Sequence, residues 1–447
     1  MTFTRQIKIL VSFTLVTLFT LMIAVNLGAQ EKPFDGVTLR IFANSHPPML
    51  KAVEWSIPVV KEKFGINLLI DQASYGVQFE KANTDLMSGA GTYDIIVMAR
   101  QWIGAWADAD FIVPVNSFID ADPEFSPDVY VEKAYKVCTL WPEPEGKNYG
   151  LPFNMEGRVV FYRKDIFEKE GLFIPTNPKD WLDIVRYFYN NPEYPDFYGA
   201  GYMYGTEQGS EYLCETYQML FDWWNHPGSV NGFWDENHQN VINRDALVQA
   251  IRFWQGVRKY MQPGAETFNL PEAYEYFLRG KSAMTEVWPL AMYGLLVEPQ
   301  NAEFRKKVGT FLPPTGVVTA GGWLMAITST SKNKEAAWEY LKFMSGEKND
   351  LFFFKKFGKG PSSKATFKDP ELVKLYGTDM LTTHQNAVAV SISAGKIAKM
   401  SEYYGGEFHT LLTRALLGHL KPEEGADKII KEMDGILERS GYPQKKR

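Results

Sequence analysis

The chain has 447 residues, more than one ordinary core needs and comfortable for two domains. Its composition, 45% hydrophobic and 22% charged, is that of a globular protein, and an aromatic share of 15% leaves rings available beyond the core. A net charge of −6, with no Lys/Arg run before the short QKKR at the C-terminus, excludes nucleic acid as a natural partner.

Arg5 and Lys8 precede an apolar stretch over 9–25, and Leu27-Gly28-Ala29 follows. This pattern predicts a secretory signal peptide over 1–29, cleaved after Ala29. The apolar stretch is short for a bilayer about 30 Å thick and is interrupted by Ser and Thr. No cysteine stands near the cleavage point, so a lipid anchor is not expected there.

From Val37 onward, short apolar runs alternate with longer amphipathic ones. Strands are predicted over 37–43, 66–73 and 93–99. Helices are predicted over 49–64, where Pro58 should kink or break the helix, over 77–87 with a stop at Gly89, and over 102–109. The run YDIIVMA (93–99) is apolar throughout, as a strand buried on both faces requires. This order argues for a parallel sheet covered by helices, an α/β class. A Pro- and acid-rich stretch over 120–146 comes next. A strand over 158–163 and a helix over 165–171 follow.

Leu247, Ala250, Ile251, Trp254, Val257 and Met261 recur at helical spacing, predicting a helix over 243–261. Pro313-Pro314-Thr315-Gly316 leads to Gly321-Gly322-Trp323 and a strand over 324–327. Adjacent glycines there suggest backbone in close approach to another group, or simply a turn before the strand. A helix over 336–344 ends at Gly346, and 407–437 is helical with a break at Lys421-Pro422.

Cys138 and Cys214 are too few for a disulfide framework or a metal set, and both sit in apolar surroundings that suit buried thiols. The histidines are scattered without zinc spacing, and no nucleophile elbow occurs. Arg279-Gly280-Lys281-Ser282 resembles the end of a phosphate loop, but Glu275 stands where glycine is needed. Neither a cofactor nor a metal is expected. A glycosidase needs two facing carboxylates, which sequence does not display, so it stays open as the enzyme alternative.

Several segments, in this order, resemble the family 1 extracellular solute-binding proteins of ABC importers, the maltose-binding-protein-like sugar type. They are YDIIVMA (93–99), YGLPFNMEGRVVFYRKDIFEKEGL (149–172), FLRGKSAMTEVWP (277–289), GGWLMAITSTSKNKEAAWEYLKFM (321–344) and the EEGADKIIKEMDGILE tail. The resemblance implies two discontinuous α/β lobes of periplasmic-binding-protein type II. Crossover segments form the hinge and the ligand lies in the cleft. The first lobe would hold 30–152 and 318–360, and the second 153–317 with a C-terminal helical part over 361–447. Cys138 and Cys214 would then fall in different lobes, where a bridge would oppose hinge motion.

The resemblance further implies a non-enzymatic periplasmic receptor, monomeric by family habit. It would pass a small ligand, read as a sugar, to the membrane subunits of an ABC importer. Glu156 and Trp288 are carried over from that family as ligand-binding, with Glu286 as a neighbour. Tyr403 and Tyr404 fall near another of its aromatic contacts, and Glu207, Glu211 and Tyr212 are weaker candidates. Asn44, Ser45 and His46 follow the first strand and Trp102 follows the third. Both places lie at carboxyl ends, where open α/β sheets bind ligands. For His46 a purely structural role is equally open. Gly322 and Trp323 complete the candidate set as close-approach backbone and aromatic wall. Trp with Glu also suits an ammonium group, so a polyamine or other cationic ligand remains an alternative on the same fold.

Overall fold

The computed structural model describes residues 32–142, 145–201, 233–314, 318–392, 397–399, 402 and 406–445. The expected signal peptide, Glu207, Glu211, Tyr212, Cys214, Tyr403 and Tyr404 lie outside the described residues. Among the described residues, no helix is long and apolar enough to cross a membrane.

The chain opens with strand β1 (Thr38–Asn44), helix α1 (Pro47–Phe64), strand β2 (Asn67–Ala73), helix α2 (Tyr75–Ser88) and strand β3 (Ile95–Ala99). Both helices end on a left-handed glycine, Gly65 at φ 83° and Gly89 at φ 65°, where a Cβ would be strained. Of the expected kink or break at Pro58, the break does not occur, for α1 runs on through it. It and Glu54 are exposed, so water can take the carbonyl that the missing N–H leaves unpaired.

After β3 come β4 (Leu151–Gly157) and β5 (Val159–Arg163), separated only by Arg158. Later strands are β6 (Tyr198–Gly201), β7 (Ser282–Val287), β8 (Val308–Phe311), β9 (Val318–Ile327) and β10 (Ser391–Ile392). They form two sheets. The first runs β2-β1-β3-β9-β10, with β4 also paired to β9, and the second runs β8-β5-β7-β6. In the first, β1, β2 and β3 are parallel, but β9 is antiparallel to both β3 and β4, so the sheet is mixed where an all-parallel one was expected.

Strand β3 shows why its run is apolar throughout. Ile95 and Val97 face one core with Val53 and Leu341, while Ile96 and Met98 face the opposite core with Leu86 and Trp106. Strand β5 is buried in the same way. Val160 packs with Trp254 and Met433, and Val159 and Phe161 pack with Tyr274 and Tyr293. Each such side chain contributes about 1.5–3 kcal/mol by burial. The helix Arg244–Arg258 buries Leu247, Ala250, Ile251, Trp254 and Val257, the face read from its spacing. Its start is fixed by Asn243, whose side chain accepts from the Ala246 N–H at 3.0 Å. The tail helices Glu407–Leu416 and Pro422–Arg439 close that core.

The α/β class and the two-lobe architecture are thus as expected. The chain passes from the first sheet to the second at Arg158, since β4 pairs with β9 as far as Gly157. It is back in the first sheet at Val318, after leaving the second at Phe311. A third passage follows Ser363, which still bridges to Tyr130 beside the first sheet. Gly321-Gly322-Trp323 lies inside β9 and is not a turn before it.

Candidate functional site

The first sheet and the passing strand meet at one edge. At the carboxyl ends of β1, β2 and β3 stand Ser45 and His46, Tyr75, and Trp102. Because β9 is antiparallel to β3, its N-terminal half arrives at the same edge, with Trp323 paired to Ala99. Beyond it, β4 pairs Asn154 with Trp323 and Glu156 with Gly321. Directly opposed antiparallel residues share a face, so these four positions form one patch, in which Asn154 and Glu156 are buried and Gly321 and Trp323 partly exposed.

Gly321 has no side chain there, and Trp288 fills the space. A Cβ built on Gly321 would stand 2.5 Å from Trp288 Cζ3 and 2.8 Å from Glu156 Cγ. Trp288 follows β7 and N-caps the helix Pro289–Leu296, and its carbonyl accepts from the Tyr274 hydroxyl at 2.8 Å. The Arg158 guanidinium lies 5.7 Å from the centre of the Trp288 ring and 3.3 Å from Glu286 Oε1. Glu286 Oε1 is buried and accepts no hydrogen bond, and burial pushes the Glu286 carboxyl up while Arg158 pulls it back. Asn154 Nδ2 donates to Glu156 Oε1 at 3.1 Å, orienting that carboxylate.

The second aromatic group surrounds Trp102, which is 6% exposed. Its ring meets Tyr75 and Phe79 at 5.2 Å, Trp106 at 5.3 Å and Trp323 at 5.9 Å. Trp102 is therefore the interior of an aromatic stack, whose partly exposed members are Tyr75, Phe79 and Trp323. Tyr75 meets Trp323 edge-on at 5.9 Å, and its hydroxyl accepts from Gln101 Nε2.

Asn44 is engaged internally. Its Nδ2 donates to Gln78 Oε1 at 3.1 Å and its Oδ1 accepts from the His46 N–H at 2.9 Å. The Ser45 N–H donates to the Ala73 carbonyl at 2.9 Å. His46 precedes α1, and its Nδ1 is buried without a hydrogen bond. Burial lowers its pKa to about 4, so the ring is neutral near pH 7.

The structure therefore brings Glu156, Glu286, Trp288 and Trp323 to one patch, with Trp102 behind Trp323. Gly322 corrects the sequence reading. Its neighbour is the interior, because a Cβ there would stand 2.1 Å from the sulfur of buried Cys138. Gly322→Ala is expected to destabilise the protein by about 1–3 kcal/mol through overpacking, measured by urea unfolding. Cys138→Ala in the same chain should relieve most of that loss. An unchanged urea midpoint in the single variant would refute this account.

Sequence reasoning missed Tyr75, Asn154 and Arg158. The carboxyl-end rule that selected Trp102 would also have selected Tyr75, the second residue after β2. A lone basic residue opening the apolar run RVVFY was the available signal for Arg158, which is 0% exposed. Among the described residues, no cluster of His, Cys, Asp or Glu could hold a metal ion.

The pattern of the family described as bacterial extracellular solute-binding protein matches residues 52–350. A probable amino-acid ABC transporter periplasmic-binding protein of Sinorhizobium fredii is 24% identical over 394 residues, 85% of each chain. The erythritol/L-threitol-binding protein of Mycolicibacterium smegmatis is 21% identical over 72% of this chain and 69% of its own. Among solved structures, an ABC transporter solute-binding protein of Agrobacterium radiobacter K84 in complex with ribitol superposes with a TM-score of 0.77. It is 21% identical, over 91% of this chain and 100% of that one.

Proposed function

We propose a function from one premise: this chain belongs to the bacterial extracellular solute-binding protein family. Members of that family bind solutes for transport. This one captures a small polyhydroxylated ligand, a sugar or a polyol, between its two lobes and delivers it to the membrane subunits of an ABC importer. It acts outside the cytoplasmic membrane, where the secretory segment read over 1–29 would send it, as a monomer and without turning the ligand over.

One observation carries the ligand class. Two partly exposed tryptophans, 288 and 323, lie with oriented Glu156 and with Glu286, whose buried Oε1 is ion-paired to Arg158 at 3.3 Å but accepts no hydrogen bond. A sugar or polyol supplies both complements. Its C–H surface packs on indole and its hydroxyls donate to carboxylate oxygens. A hydroxyl reaching Glu286 Oε1 adds a hydrogen bond to an atom that the Arg158 charge compensates only in part. The polyols named for the Mycolicibacterium relative and the Agrobacterium complex support this choice. An amino-acid ligand, as the Sinorhizobium name suggests, would need a cation for its carboxylate. Arg158 is wholly buried under Trp288 and Glu286 and does not offer one.

Capture works by lobe closure. We place the hinge at Arg158, between strands β8 and β9, and after Ser363, which puts β4 with the first lobe. A ligand favours the closed form only by binding it better than the open form. The patch lies where the passing strand joins the sheets, so a ligand seated there can touch both lobes.

The presence of two carboxylates, Glu156 and Glu286, beside the Trp288 ring favours a second reading, a cationic ligand. A thermal-shift screen of residues 30–447 separates the two. The probes are ribitol, erythritol, D-glucose, maltose and spermidine, with product analysis of each hit. A polyol or sugar at a hundred times its Kd should stabilise the protein by about 2.7 kcal/mol. Trp288→Ala and Trp323→Ala should each weaken that binding at least tenfold, about 1.4 kcal/mol. A shift with spermidine alone would transfer the site to the cationic reading, and cleaved maltose would end the claim of capture without turnover.

A further inference from the structure

We propose that Gly321 is a positioning residue of the site: by lacking a side chain it seats Trp288 against β9, two residues from Trp323, and so sets the width of the slot that grips the ligand. This rests on the reading that Trp288 and Trp323 wall the ligand.

The geometry starts from the strand. Residues 321 and 323 lie on the same face of β9, and same-face neighbours along a strand stand about 7 Å apart. Position 323 carries its own indole. At position 321 the six-membered ring of Trp288 stands where a side chain would, with Cζ3 2.5 Å and Cε3 2.8 Å from the site of a Cβ. Trp288 directly follows the second sheet's β7 and Trp323 lies in the first sheet's β9, so the glycine lets one lobe's ring lie on the other lobe's strand. The ring of Trp323 meets Tyr75 and Trp102. It makes no ring contact with Trp288. Carbon atoms in contact are about 3.5–4.0 Å apart, so two walls about 7 Å apart admit one layer of ligand. A single sugar ring or an extended polyol chain is one such layer.

A methyl group at 321 cannot coexist with Trp288 in this position. The other close atom, Glu156 Cγ at 2.8 Å, belongs to a side chain that can turn aside, whereas the indole is a rigid plate held by the backbone at a helix start. Gly321→Ala therefore acts through Trp288. It pushes the ring into the slot or out of the patch.

A double-mutant cycle on residues 30–447 tests this, with Kd measured by calorimetry for ribitol and D-glucose and with unliganded melting as the stability control. Gly321→Ala alone is expected to weaken binding of the better probe at least tenfold. In a Trp288→Ala background the same change should alter Kd by less than twofold, because the ring it displaces is gone. Equal losses in both backgrounds would overturn the proposal and show that the glycine serves the strand. Unchanged binding in Gly321→Ala would overturn it as well. If Gly321→Ala fails to fold, the Gly321→Ala/Trp288→Ala chain should fold with a melting point near that of Trp288→Ala. A double variant that also fails would place the clash elsewhere and refute the idea. Binding that survives Trp288→Ala unweakened, or no binding of any sugar or polyol, would instead remove the reading on which the proposal stands.

Discussion

Asp350→Ala is expected to destabilise the protein by about 3–5 kcal/mol, lowering the urea midpoint by about 1 M or more. Asp350 is 0% exposed in the helix Glu347–Phe357, and it organises the third passage between the lobes. Its Oδ1 accepts from Lys359 Nζ at 3.0 Å, from Ser362 Oγ at 3.0 Å and from the Ser362 N–H at 3.1 Å. Its Oδ2 accepts from the Ser363 N–H at 2.9 Å and from Thr366 Oγ1 at 3.1 Å. Lys359 Nζ also donates to the carbonyls of Gly360 and of Phe153 in β4. Removing the carboxylate strands a buried ammonium and several donors at once, and that penalty exceeds the net worth of the pair.

Asp350→Leu with Lys359→Met should lose much less than the two single changes added together, because no charge remains unpaired. Burial alone would raise the Asp350 pKa, but Lys359 and the Ser362 and Ser363 N–H groups outweigh it and hold the carboxyl below its ordinary value. This stability is present above the usual carboxylate range and is lost as pH falls through the folded value. An Asp350→Ala midpoint within error of the wild type would show that the passage is held by other contacts.

The second large effect appears on acidification. His384, in the helix Thr378–Val390, is 0% exposed, stacked on Tyr293 at 5.3 Å and edge-on to Phe367 at 5.3 Å. Neither ring nitrogen makes a hydrogen bond. Burial pushes its pKa from 6.5 to about 3, and the nearby backbone of Met155 offsets this only in part. A group depressed in the folded state favours folding above its unfolded value and loses that contribution as pH falls. The unfolded chain takes up a proton below pH 6.5 and the folded chain does not until about pH 3. Between neutral pH and pH 5, where carboxylates stay ionised, the loss is about 2 kcal/mol. His46, lowered to about 4 by burial, acts in the same direction. His384→Phe keeps the stacking, removes the titration and should flatten the stability curve over that window. A slope equal to the wild type's would show that His384 titrates normally in the folded protein.

These two residues also mark what reading the sequence could reach. Asp350 and His384 carry no local signal. Each sits in an unremarkable amphipathic helix, and its importance comes from partners brought in by other segments. Glu156 and Trp288 were legible only through the order and spacing of whole segments.

By itself, the sequence determined the elements whose cause is local. Apolar periodicity set the helix Arg244–Arg258, a continuous apolar run set β3, and left-handed glycines ended α1 and α2. Those signals arise within a few residues and need no partner. The tertiary structure alone decided the pairings. It made β9 antiparallel to β3, carried β4 through Gly157 before the chain changes sheet, turned Gly322 toward Cys138, and laid Trp288 on Gly321. Each of these depends on which strand lies next to which and in what register. A one-residue slip in register would reverse every face of the patch, and neither local propensity nor periodicity contains that information.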